Sequence, residues 1–193
     1  MNALLATTYF GPVQWYQKLN RCEAYSIDGD ELFMKQSYRN RCYIAAANGV
    51  QALTIPIEKA RLTRDVRISD HGDWRRVHWN SIMSAYGESP FFEYYQDDLL
   101  PFFERRWTFL VDFNEEIRQT VCNLIDIHPT PITHHSSPTT DFRAAINPKH
   151  PTADADFEPK TYYQVYASRY GFQPNLSVLD LLLNMGPESI FYL

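Results

Sequence analysis

The residues best suited to chemistry form one run, Lys35-Gln36-Ser37-Tyr38-Arg39-Asn40-Arg41, which puts three cations within seven residues of an acidic chain. Arginine forks bind carboxylate or phosphate bidentately, and a lysine adds a point charge. If the backbone is extended, Arg39 and Arg41 point to one side and Asn40 to the other. The competing reading is a solvated basic turn whose arginines pair with carboxylates of the fold. A second group is Trp74, Arg75, His78 and Trp79. Spacing of i, i+4 places Trp74 with His78 and Arg75 with Trp79 on adjacent helix faces. Indole faces suit sugar rings or bases, and His78 is a candidate general base. A lone histidine on an apolar stripe is, however, more often a satisfied core residue.

Other signatures are missing or weak. No GxSxG, Walker loop or GxGxxG occurs, which argues against serine hydrolases, P-loop NTPases and typical dinucleotide enzymes. His134-His135 are adjacent, with no acidic partner at ligand spacing, so no zinc site is expected there. Cys22, Cys42 and Cys122 form no CxxC pair and are expected to be buried thiols in a reducing compartment.

These residues need elements to position them. Leu4 to Tyr9 reads as a strand, Pro12 to Leu19 as a helix with Val13, Tyr16 and Leu19 on one face, and Ala24 to Asp28 as a second strand. A strand–helix–strand unit predicts parallel strands. Ligands then bind beyond the strands' carboxyl ends, where helix N-termini point. Tyr9 and Gly11 follow the first strand and Asp28 ends the second, placing them at that edge. There Asp28 would bind a hydroxyl, an amine or a magnesium ion, the one cofactor these residues leave open. Nucleotidyltransferases with an HxGH pair share such an opening, but no histidine precedes His71.

Asn48-Gly49 between Cys42–Ala47 and Val50–Ile57 carries the type I′ hairpin signature. From Asp73 the period turns helical. Trp74, Val77, His78, Ile82, Ala85 and Tyr86 share a stripe, and Gly87 is placed to end it. Helices follow from Ser89-Pro90 and Pro101, and Asp112 or Asn114 is expected to cap another through Ile125. His128 to Lys160 holds six of the 12 prolines and four of the six histidines. It predicts an extended segment over the surface, anchored by Phe142 and Phe157. Ser177 fits the start of a last helix that ends at Gly186-Pro187. The fold class is α/β: a small mixed sheet opening with strand–helix–strand plus a hairpin, then a helical second half, in one domain over residues 1–193.

The chain has 193 residues and a net charge of −5. Its mean hydropathy is −0.40. The acidic balance does not favour nucleic acid. No run of about 18 apolar residues occurs, so no membrane insertion is expected. No signal peptide is visible, so a cytoplasmic protein is expected. Nothing in the sequence sets an oligomeric state.

Taken together, Thr8-Tyr9-Phe10 through Trp15-Tyr16, Lys35 to Arg41, Leu53-Thr54-Ile55-Pro56, Trp74 through His78-Trp79, Ser84-Ala85-Tyr86 with Ser89-Pro90-Phe91-Phe92, and Pro174-Asn175-Leu176-Ser177 resemble the WbqC-like family. Its members are bacterial proteins met in gene clusters for surface-polysaccharide (O-antigen) synthesis. Ala6-Thr7, Gly11 and Gln14 depart from the usual family opening, as in a divergent, Bacteroidetes-type branch. The resemblance implies a setting of sugar modification. The leading expectation is a transferase or ligase-like enzyme acting on a phosphorylated or nucleotide-linked sugar. Lys35, Arg39 and Arg41 would bind the anionic part and Asp28 would orient the acceptor, with His78 as a further candidate. Tyr9, Gly11, Tyr38, Asn40 and Trp79 would line the ligand. The alternative is a non-catalytic ligand-binding or scaffolding protein of the same clusters.

Overall fold

The computed structural model describes residues 1–132 and 139–193; the His134-His135 pair lies outside them. Strand β1 (Asn2–Leu5) leads through helix α1 (Val13–Arg21) to β2 (Ala24–Ile27). β1 pairs in parallel with β2, as Leu4↔Ser26. On its other side it pairs in parallel with β5 (Thr139–Asp141), as Leu4↔Asp141. The sheet order is β2-β1-β5. Ala3 and Leu5, on one face of the central strand, are fully buried. β1 ends at Leu5, short of the expected Tyr9, because the chain then turns inward. Tyr9 N donates to Tyr38 O at 2.9 Å, and Phe10 takes a left-handed conformation with φ 40°.

The hairpin is β3 (Arg41–Ala46) and β4 (Gly49–Thr54), closed by the Ala46↔Gly49 pair. Its loop is therefore Ala47-Asn48, one residue earlier than the type I′ turn expected. A type I′ turn needs positive φ at both central residues. Here only Gly49, with φ 105°, has it, as in a turn completed by a glycine bulge.

Helices α2 (Trp74–Tyr86), α3 (Phe92–Leu99), α4 (Pro101–Glu104) and α5 (Leu110–Ile125) make the helical half. α5 starts before both expected caps. Leu110 N donates to Val66 O at 2.9 Å, Phe109 holds the cap position with no side-chain bond, and Asn114 lies inside the helix. Short α6 (Ala167–Tyr170) precedes α7 (Val178–Met185). Ser177 caps α7: its Oγ accepts from Leu179 N and donates to Phe10 O at 2.7 Å. Asp180 does not complete a capping box. It is fully buried and accepts from the Tyr86 and Tyr162 hydroxyls and the Gln164 amide. Burial pushes its pKa up, against these hydrogen bonds.

The expected extended segment contributes β5 to the sheet. Its anchor Phe142 is 4% exposed, whereas Phe157 is half-buried at a cleft. Cys42 and Cys122 are buried thiols, but Cys22 is only half-buried. Among the described residues no helix is long and apolar enough to cross a membrane.

Candidate functional site

A cleft of about 240 Å³ opens beyond the carboxyl ends of β1 and β2. Thr7 and Thr8 form one wall, as the chain leaves β1. Ile27 and Gly29 form the next, around the end of β2. The far wall is the face of α5 that carries Val111, Asp112, Asn114, Glu115 and Arg118, which helical spacing brings together.

Asn114 ties this wall to the sheet. Its Nδ2 donates to Thr7 Oγ1 at 3.1 Å and to Arg39 O at 2.8 Å. Those two acceptors fix the amide orientation and leave Oδ1 buried with no partner. Thr8 lines the cleft, and among the described residues its hydroxyl bonds to nothing in the chain. Gly11 keeps Thr8 in place by its size: a Cβ there would lie 2.4 Å from Thr8 Oγ1.

All but one of the charges at the cleft are paired nearby. Arg118 donates to both carboxylate oxygens of Glu115 and stacks over the Tyr25 ring at 5.2 Å. Burial alone would raise the Glu115 pKa, but hydrogen bonds from Arg118 and Gln119 outweigh it and hold the carboxyl below its usual range. Arg64, at the mouth, is exposed and paired with Asp30. Asp112 is exposed and, among the described residues, has no ion-pair partner. Hydroxyl, amide and paired-charge groups in one concavity suit a ligand with many hydroxyls.

The residues singled out in the sequence are distributed differently. Lys35 to Asn40 forms turns rather than extended chain, so Arg39 and Arg41 do not share a side. Arg39 is buried and paired with Glu31. Glu31 also faces Arg143 at 3.5 Å, and Arg143 in turn binds Asp28 and Asp141. The Asp28 carboxylate thus already holds a guanidinium. No group of three or more metal-ligating side chains occurs among the described residues, so the residues at Asp28 do not fit a magnesium ion. Arg41 donates to Thr54 Oγ1 at 2.8 Å, and Lys35 is exposed.

Tyr9 and His78 are core residues. The Tyr9 hydroxyl and His78 Nδ1 share a hydrogen bond at 2.8 Å. Burial lowers the His78 pKa to about 4, with the Thr54 backbone bond opposing. Asn40 Nδ2 donates to Ile55 O at 2.9 Å. Trp79 packs on Phe92 and Phe103, and Arg75 lies over Trp74 rather than Trp79. Tyr38 lines a different cleft, beside α1, and burial raises its pKa to about 12. The expected anion site at the start of α1, after Gly11, is taken by the chain itself. Val13 N donates to Leu176 O, and Gln14 N donates to Asn175 Oδ1.

Sequence reasoning thus missed Thr8, Asp112, Asn114 and Arg118. The available signals were that Glu115 and Arg118, three residues apart, flank the apolar Ile117-Val121-Ile125 stripe, and that Asn114 is a polar residue on that stripe itself.

The model of the WbqC-like protein family matches residues 7–147, and the chain belongs to that family. It is also similar to an uncharacterised protein of Mycobacterium tuberculosis. The two are 23% identical over 222 residues, covering 99% of this chain and 96% of that protein. No solved structure matches the chain.

Proposed function

We propose that this WbqC-like protein is a cytoplasmic enzyme of surface-polysaccharide sugar modification, transferring to or activating a phosphorylated or nucleotide-linked sugar in the cleft beyond β1 and β2. The observation that carries the reading is the Thr8 hydroxyl on its wall, which bonds to nothing in the chain among the described residues. A ligand hydroxyl there gains a hydrogen bond without displacing one that the chain makes. Arg64, exposed at the mouth, would turn from Asp30 to a phosphoryl group. Asp112, with no counter-ion, would take a proton from the acceptor hydroxyl.

The test is incubation with a panel of nucleotide-sugars, with turnover followed by mass spectrometry and binding by calorimetry. Thr8→Val is expected to weaken binding, and Asp112→Asn to abolish turnover while binding persists. The second reading, a ligand-binding protein without catalysis, is favoured by the mutual pairing of Glu115 and Arg118, which leaves neither free to act on a substrate. Binding without turnover by the unmodified protein would decide for it. The absence of any binding would remove both.

A further inference from the structure

On another side of α1 lies a cleft of about 310 Å³, lined by Gln14, Tyr38, Asn147, Asp154, Phe157 and Asn175 among others. Beside it, α1 carries a lysine where helices facing a core rarely do: Lys18 is 2% exposed. Its ammonium meets one carboxylate, Asp154, at 2.7 Å, and stands over the Phe142 ring at 4.8 Å. Gln14, one helical turn earlier, donates from Nε2 to the other oxygen of Asp154 at 2.8 Å. Asn175 holds Gln14 in that pose, donating to Gln14 Oε1 at 3.0 Å while accepting from Gln14 N at 2.9 Å. Each carboxylate oxygen thus has its own donor on a rigid helix, the arrangement of a site for a carboxylate or phosphate.

The acid that fills it comes from weakly held chain. Residues 147–160 form no helix or strand. Their backbone is tied to the rest of the chain by few bonds, Thr152 N to Ala144 O and Gln17 Nε2 to Glu158 O among them, while Asp156 N and Phe157 N donate within the segment to Asp154. Segments with so few bonds open at low cost. A buried cation needs a counter-charge, yet apolar residues of similar volume dock a segment as well or better. Docking alone therefore does not call for the Lys18–Asp154 pair.

We propose that Asp154 is a built-in stand-in for an anionic ligand, and that Lys18 and Gln14 with the adjoining cleft form a second binding site for a small molecule bearing a carboxylate or phosphate. Such a ligand displaces Asp154 and loosens residues 147–160. This site is independent of the cleft beyond β1 and β2.

Phosphate and acetate, used separately as probes, distinguish the two anion chemistries. In Asp154→Ala, the side-chain amide resonances of Gln14 and Asn175 are expected to shift saturably with one or both, at an affinity at least about tenfold above wild type. Asp154→Ala combined with Lys18→Met is expected to lose the response. Thr8→Val is expected to keep it, which separates this site from the proposed sugar cleft. Should Asp154→Ala not fold, hydrogen exchange on the unmodified protein serves instead: either probe at high concentration should speed exchange in residues 147–160 and not in α1. No saturable shift in a folded Asp154→Ala, a shift that survives Lys18→Met, or unchanged exchange overturns the proposal.

Discussion

The two clefts border α1 at neighbouring residues, Trp15 at one and Gln14 at the other, yet they hold their charges in different ways. Beyond β1 and β2 the ion pair is local: Arg118 and Glu115 lie three residues apart on one helix, with side-chain exposures of 11% and 41%. Beside α1 the pair joins residues 136 apart, at 2% and 6%. A local pair forms whenever its helix forms, so the charges on that wall are matched without help from distant chain. A long-range buried pair exists only while the irregular segment stays docked. One cleft is preformed, and the other depends on a displaceable part of the fold.

The largest expected effect breaks the long-range pair. Lys18→Met leaves the Asp154 carboxylate buried without its cation, a loss of about 3–5 kcal/mol for such pairs. Glu115→Gln, in the partly exposed local pair, should cost less than about 1 kcal/mol. Urea unfolding of both variants measures the contrast, and Lys18→Met combined with Asp154→Leu should recover most of the loss. Equal losses from the two single variants would erase the distinction drawn above.

Acid separates the regions next. His78 backs the turn that carries Thr8, through its bond with Tyr9. Burial lowers its pKa from 6.5 to about 4, so between those values the unfolded chain binds a proton that the native state refuses. Stability therefore falls as pH drops from about 6.5 to 4, by about 3 kcal/mol in all. For Asp154 burial raises the pKa, but the bonds from Lys18 and Gln14 prevail and depress it. Its contribution is thus present above the unfolded-state pKa of about 3.9 and is lost only as pH falls below that. Denaturation curves across pH should show His78→Gln flattening the slope between 6.5 and 4, and Asp154→Asn altering the slope only below it. Asp154→Asn lowers stability at every pH above about 3.9, since it leaves Lys18 unpaired, and a changed slope at pH 5–6 would contradict this ordering.

Gly11→Ala should be milder and confined to the first cleft. The added methyl meets Thr8 Oγ1 at 2.4 Å and Thr8 Cβ at 2.9 Å, an overpacking expected to cost about 1–3 kcal/mol. A lowered Tm with Lys18-dependent anion binding intact would confirm that the two sites are held separately.

What the sequence made legible follows from how far apart the cooperating residues lie. Helical stripes such as Trp74-His78-Ile82-Tyr86 and Ile117-Val121-Ile125 are local, and α2 and α5 were foreseen from them. Asn48-Gly49 revealed a hairpin but misplaced its loop by one residue, because a glycine bulge and a type I′ turn use the same dipeptide. Pairings across the chain were hidden. Nothing near Asp28 announces Arg143, 115 residues away, and nothing near Arg39 shows that Glu31 and the Asn114 amide enclose it. Asp112 and Asn114 looked like caps because cap residues and cleft residues are the same polar types. The backbone bond from Leu110 to Val66 that starts α5 earlier leaves no mark on composition.

The smallest effect on stability tests the preformed cleft most directly. The Thr8 hydroxyl has no partner in the chain among the described residues, so Thr8→Val removes no internal hydrogen bond and fills nearly the same volume. Its stability should stay within about 0.5 kcal/mol of wild type. A hydroxyl that bonds a sugar ligand contributes about 0.5–1.5 kcal/mol, so affinity should fall by about two- to tenfold. Calorimetry with the nucleotide-sugar that binds wild type best measures that drop, and phosphate titration of the Asp154→Ala protein provides the reference that should not move. A Thr8→Val protein with unchanged affinity would place the ligand elsewhere, because no other group on that wall is as free to bond it. A large loss of stability would instead mean that the hydroxyl serves the fold, and the preformed cleft would lose the group proposed to bind its ligand.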